Sequence, residues 1–149
     1  MKFISHRGNL NGVDSKFENH PDKINICFNL GYDVEVDVWY IENKFFLGHD
    51  NPQYEIDISF LKKTGLWCHA KNMSALDRMI KEKNIHCFWH QEDDYTLTSN
   101  GIIWCFPGKE LLNSSVCVMP ERASYSLNDI KKCYGVCSNN IFEYKEKLL

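Results

Sequence analysis

The sequence predicts an α/β fold built from parallel βαβ units. Strand, helix, strand, helix recurs at both ends of the chain, the pattern that lays strands side by side in one direction. The residues capable of chemistry also gather at or just after the carboxyl ends of those strands, where such sheets carry their sites. The 149 residues suit one domain spanning the whole chain. A full eightfold barrel with a helix after every strand takes roughly 250 residues, so a barrel of this length must shorten several helices or replace them by loops.

A strand over Lys2 to His6 opens the chain. A helix follows from about Pro21 to Leu30, with Asn19 or His20 ahead of it and Gly31 as its stop. Asp33-Val-Glu-Val-Asp-Val-Trp39 is the clearest alternating segment and reads as a strand. Asn43-Lys44 suggests a turn into a return strand, Phe45 to Gly48, before His49-Asp50. After a polar loop, Leu66 to Ala70 forms a strand and Ser74 to Lys83 a helix that puts Leu76, Met79 and Ile80 on one side. His86 to His90 is a further strand; Tyr95 to Thr98 and Gly101 to Phe106, parted by Ser99-Asn100, suggest a hairpin. A strand over Ser115 to Met119, a short helix over Leu127 to Cys133, a strand over Gly135 to Ser138 and a helix from Ile141 to Leu149 complete the chain.

Composition narrows the function. Apolar residues make up 44% and aromatics 13%, enough to bury a real core. No apolar run approaches the roughly 18 residues that cross a bilayer, and mean hydropathy is −0.41. Seventeen basic against 20 acidic side chains give a net charge of −3, which offers nothing for a nucleic-acid backbone. Any phosphate must be held locally. The first residues lack the apolar stretch and cleavage site of a signal peptide. The seven cysteines, an odd number mostly set in apolar runs, read as buried hydrophobes in a reducing compartment, so a cytoplasmic location is expected. Cys133 and Cys137 are the only close pair, and no second pair stands at zinc-ligand spacing.

Four clusters concentrate the chemistry: His6-Arg7-Gly8, Glu18-Asn19, Glu35-x-Asp37 and His49-Asp50. Side chains alternate along a strand, so Asp33, Glu35 and Asp37 face one way and Val34, Val36 and Val38 the other. Carboxylates on one face repel each other, and burying them without compensation is costly; a divalent cation relieves both problems. Oxygen ligands suit Mg²⁺ or Ca²⁺, with Mn²⁺ also accommodated. The plainer alternative is a surface strand with its acids in water. Arg7 offers a fork suited to phosphate oxygens, Gly8 lets the backbone approach a ligand, and His6 and His49 are of the residue type that passes protons in catalysis. Each cluster alone reads equally as an ordinary loop. Together they supply what phosphodiester cleavage needs: one His as base, another as acid, with cation and guanidinium stabilising charge.

The ordered series Ile4-Ser-His-Arg-Gly8, Glu18-Asn19, Gly31-Tyr-Asp-Val-Glu-Val-Asp-Val38 and Gly48-His-Asp50 resembles the amino-terminal signature of the glycerophosphodiester phosphodiesterases, within the phospholipase-C-like phosphodiesterase superfamily. The resemblance covers about residues 1 to 50. It implies a compact (β/α)8 TIM-type barrel with a cation on Glu35 and Asp37 and His6 and His49 as the acid/base pair. It further implies phosphate contact by Arg7 and support from Glu18, Asn19 and Asp50. Trp67-Cys68-His69-Ala70-Lys71-Asn72 is similar to the family's third strand, where a Glu-x-Lys pattern gives a metal ligand and a phosphate-contacting lysine; Lys71 matches, and His69 stands where the acid is expected. Gly135 to Asn139 loosely resembles the last strand, with Ser138-Asn139 in place of Thr-Asp. His90, Gln91 and Glu92 end a strand on the same rim and face either a leaving group or plain solvent.

The expected activity is metal-dependent hydrolysis of a small phosphodiester. Two alternatives share the parts: a lyase that stops at a cyclic phosphate, and a module that keeps the metal or phosphate pocket without turnover. The short chain also leads us to expect a homo-oligomer, a second copy covering a flank left bare by missing helices.

Overall fold

The computed structural model describes residues 1–149. Strand β1 (Lys2–His6) leads to helix α1 (Pro21–Asn29), strand β2 (Asp33–Ile41) and the short strands β3 (Lys44–Leu47) and β4 (Tyr54–Ile56). Helix α2 (Ile58–Leu61), strand β5 (Leu66–Ala70) and helix α3 (Met73–Ile80) follow, then strands β6 (Cys87–Phe88), β7 (Tyr95–Leu97), β8 (Ile103–Cys105) and β9 (Ser115–Val118). A 3-10 turn at Pro120–Arg122, helix α4 (Leu127–Lys131), strand β10 (Gly135–Ser138) and helix α5 (Ile141–Leu148) end the chain.

Strands β6, β5, β2, β1, β10, β9 and β8 pair in parallel in that order. β7 adds antiparallel to β8, while β3 and β4 extend the far half of β2 as an antiparallel flap. The expected closed (β/α)8 barrel is not formed. The sheet is open and curls only into a half-barrel, because β6 and β7 share no ladder. They meet through isolated contacts at Cys87 and Ser99: the Ser99 amide donates to the Cys87 carbonyl at 2.8 Å, and the Cys87 amide to Ser99 Oγ at 2.9 Å. Two features of the chain forbid the regular barrel. The stretch between β6 and β7 is too short for the ten or more residues of a helical crossover, and the hairpin that follows reverses the chain, so β7 cannot run parallel.

The pleat sorts side chains into two layers. Val34, Val36 and Val38 of β2, Leu66, Cys68 and Ala70 of β5, and Val136 of β10 join Ile24, Cys27, Ala75 and Met79 of the helices in the larger apolar core outside the curl. Ile4, Trp67, Phe88, Trp104, Val116, Val118 and Cys137 fill the inside. All seven cysteines are buried and unpaired, and burial raises the thiol pKa of each. No helix is long and apolar enough to cross a membrane.

Local differences from expectation have local causes. The hairpin turn falls on Glu42 and Asn43, both at positive φ (50° and 64°), the geometry whose twist matches the flanking strands. α3 stops at Ile80, which is 62% exposed, so only Ala75 and Met79 of its apolar stripe are buried. β6 ends at Phe88, two residues short of His90. β4 and α2 carry no periodic signal of their own and exist by packing against β3 and the core.

Candidate functional site

The acidic pair is not a solvated strand face. Glu35 is 2% exposed and Asp37 is wholly buried, because β2 lies between β1 and β5 and its inner side points into the curl. Register then delivers the partners. His6 pairs opposite Glu35, and His69 opposite Asp37.

His69 Nδ1 lies 3.1 Å from Asp37 Oδ1 and 3.7 Å from Glu35 Oε1. Its other nitrogen, Nε2, donates to the carbonyl of His90 at 2.7 Å, and its ring stacks on Phe88 at 5.2 Å. A carbonyl only accepts, so Nε2 must carry hydrogen, and Nδ1 faces the carboxylates either as a lone pair or as N–H⁺. Burial alone would depress the His69 pKa; hydrogen bonding and charge from Asp37 and Glu35 overcome it and lift it to about 9. Asp37 is held well below the usual carboxylate range: burial opposes ionisation, but the hydrogen bond from His69 and the charges of Arg7 and Lys71 outweigh it. One donor atom from each of Glu35, Asp37 and His69 lies within 4.8 Å of the others. Glu35 Oε2 is buried with no hydrogen-bond partner, the kind of orphaned acceptor a cation would satisfy, while Asp37 Oδ1 meets only the His69 imidazole and Lys71. The donor set fits a divalent ion.

Arg7 Nε stands 2.9 Å from Asp37 Oδ2, and Lys71 Nζ 3.6 Å from Oδ1. Asn19 fixes the same carboxylate twice, donating to Asp37 Oδ2 at 3.0 Å and accepting from the Asp37 amide at 2.9 Å. Glu18 accepts from Asn9 at 2.8 Å and lies 3.5 Å from the Arg7 guanidinium. Arg7 and Asn19 both take positive φ, 55° and 62°, and the Asn19 amide donates to the Arg7 carbonyl at 2.9 Å. Strained non-glycine backbone of this kind persists where surrounding contacts impose it.

His6 Nε2 lies 3.7 Å from Glu35 Oε2. Its Nδ1 meets the side-chain oxygen of Asn139 at 2.8 Å, and the same oxygen accepts from Asn9 at 2.9 Å. Nδ1 therefore carries the hydrogen, and Nε2 faces the acids.

His49 and Asp50 stand apart from this constellation. Gly48 is tied to the rim, its amide donating to the Asp37 carbonyl at 3.1 Å and its carbonyl accepting from Trp39 Nε1 at 2.7 Å. The His49 ring, however, is 39% exposed and bonds its neighbour Asp50 at 2.7 Å. Sequence reasoning missed Asn9 and left Asn139 without a role; the near-match of Gly135 to Asn139 to a final strand was the available signal. Of the rim residues 90–92, only His90 engages, through its backbone. Trp104 is a core residue, 4% exposed, while Phe106 remains 38% exposed.

No protein-family model, no curated protein and no solved structure matches the chain. The resemblance of residues 1–50 to the phosphodiesterase signature therefore rests on its motifs alone.

Proposed function

We propose that this chain is a metal-dependent hydrolase of small phosphodiesters, of the glycerophosphodiester type. The setting of His69 carries the reading: its Nε2 is committed to a backbone carbonyl and its Nδ1 is aimed at Asp37 (3.1 Å) and Glu35 (3.7 Å). A metal-binding histidine is held in this way, with the outer nitrogen fixing the tautomer of the inner one. Two carboxylates favour Mg²⁺ or Ca²⁺, and the imidazole admits Mn²⁺. When bound, such an ion polarises a phosphoryl oxygen.

The chain's own groups do the rest. Arg7 and Lys71 balance the charge of the remaining phosphate oxygens. His6, its Nδ1–H held by Asn139, takes the proton of the attacking hydroxyl at Nε2. As the new P–O bond forms, the bond to the leaving alcohol breaks, and that oxygen takes a proton from His49, which has to swing in from its exposed position after β3 to supply it. A water nucleophile gives hydrolysis directly; the substrate's own neighbouring hydroxyl gives a cyclic phosphate, and release at that stage is lyase chemistry. Phosphorus NMR of the products separates the two. The seven free thiols accord with the reducing cytoplasm, and a small diester soluble there is the expected substrate, with a second copy of the chain as a candidate partner.

The test is a diesterase assay on a panel of substrates, with and without chelator, for wild type and His6→Ala. Chelation should abolish turnover, and the substitution should lower it by about 10²-fold or more. Activity that survives both rejects the proposal. Metal-loaded protein that binds glycerol phosphates yet cleaves nothing in the panel is a binding module instead.

A further inference from the structure

A second cavity, of about 480 Å³, lies at the opposite end of the sheet. It is built from the amino ends of the parallel strands. Lys2 opens β1, Asp33 opens β2, Trp67 sits at the start of β5, and His86 and Tyr134 immediately precede β6 and β10. Four lysines, Lys2, Lys62, Lys63 and Lys83, line it against a single carboxylate, Asp33. In a chain with 17 basic and 20 acidic side chains, that is a pronounced local segregation of charge.

The carboxylate is already engaged. Asp33 accepts from Lys2 Nζ at 3.2 Å and from Trp67 Nε1 at 3.1 Å. Lys62 pairs with Glu82 at 2.8 Å and Lys63 donates to Asn25 at 2.6 Å, while Lys83 makes no ion pair. At the floor, the His86 ring packs 4.1 Å from that of Trp67, and its Nε2 is buried with no hydrogen-bond partner. A buried ring nitrogen without a partner carries a desolvation cost that a ligand atom would remove.

We propose that this cleft is a second ligand site, independent of the phosphodiesterase reading, that takes a small organic phosphate. Three features select that class. Lysines act as point charges toward a multiply charged phosphate, and the cleft has no arginine fork to select a planar carboxylate. The volume lies within the range of roughly 300–1,000 Å³ typical of small-molecule sites. Tyr134, 38% exposed at the edge, offers a ring to the organic portion, while Lys83, which has no ion-pair partner, and Lys62 hold the phosphate.

Pyrophosphate in metal-free buffer is the probe, followed by the ¹H–¹⁵N signal of the Trp67 indole, assigned with Trp67→Phe. A saturable shift is expected. Lys62→Gln/Lys83→Gln should weaken it by about tenfold or more, and Lys83→Glu alone, at an exposed position, should act in the same direction. Lys16→Gln/Lys44→Gln, an equal loss of charge at exposed positions that do not line the cleft, should leave it unchanged, as should Lys71→Gln at the other site. Absence of a shift up to about 10 mM overturns the proposal. Equal weakening by both double variants shows general charge attraction and overturns it too, as does loss of the shift with Lys71→Gln.

Discussion

Asn139 accepts from His6 and from Asn9 through one oxygen, at 2.8 and 2.9 Å, and this contact decides which nitrogen His6 presents. Replacing that oxygen by an apolar branch frees the imidazole to rotate and to change tautomer. Asn139→Leu should lower kcat by about 10- to 100-fold with little change in KM, as read by steady-state kinetics; an unchanged kcat would mean that His6 is oriented some other way. At the other end of the sheet, His86 is held neutral. Burial drives its pKa down from the ordinary 6.5 to about 4, against the weaker upward pull of Asp33. Between those values the unfolded chain takes up a proton that the folded chain refuses, so this group's contribution is intact above pH 6.5 and is lost as pH falls toward 4. In His86→Gln, the fall in Tm between pH 6.5 and 4.5 should be smaller than in wild type by about 2–4 °C. Parallel melting curves would refute the assignment.

At the scale of elements, the β2–β3 flap and its return segment govern where His49 stands. A Cβ on Gly48 would meet the Asn51 carbonyl oxygen at 2.1 Å, and φ there is 152°. Gly48→Ala should therefore destabilise the fold by about 1–3 kcal/mol and displace His49, so thermal melts and diesterase rates should fall together. If activity survives the displacement, His49 has no part in proton transfer. Asn72 anchors the flap from the other side. It caps α3 by accepting from the Ala75 amide at 3.0 Å, donates to the Tyr40 carbonyl at 3.0 Å and accepts from the Tyr40 amide at 3.2 Å. One side chain thus joins a helix start to the outer half of β2. The two bonds to Tyr40 are not visible in a local reading, since Asn72 and Tyr40 are 32 positions apart.

Over the whole molecule, the curled sheet has its weakest point where its two ends meet. Ser99 contributes two of the bonds between them, through its amide and its hydroxyl. Ser99→Ala removes the acceptor for the Cys87 amide and should cost about 1 kcal/mol. Amide exchange should then accelerate at Cys87 and through β6 and β7, while β1, β2 and β10, paired on both sides, remain protected. Uniform acceleration would show that the ends unfold only with the entire sheet.

The alternation of Val34, Val36 and Val38 with Glu35 and Asp37 was legible because a strand's period of two needs no distant information. The same holds for the helix after Pro21, with its cap at His20 and its stop at Gly31. That the acids are buried was not legible. It depends on β1 and β5 lying to either side of β2, and the closed barrel inferred from motif order failed because the 89–94 stretch and the following hairpin spend the chain without a crossover. What the sequence determined by itself was therefore local: the periodicity, the capping and which residue types stand at strand ends. Tertiary structure decided the rest, setting Asn139 against His6 across 133 positions and turning His69 toward two acids from a neighbouring strand. Such contacts depend on pairing partners and register, which come from the burial of the whole apolar set at once.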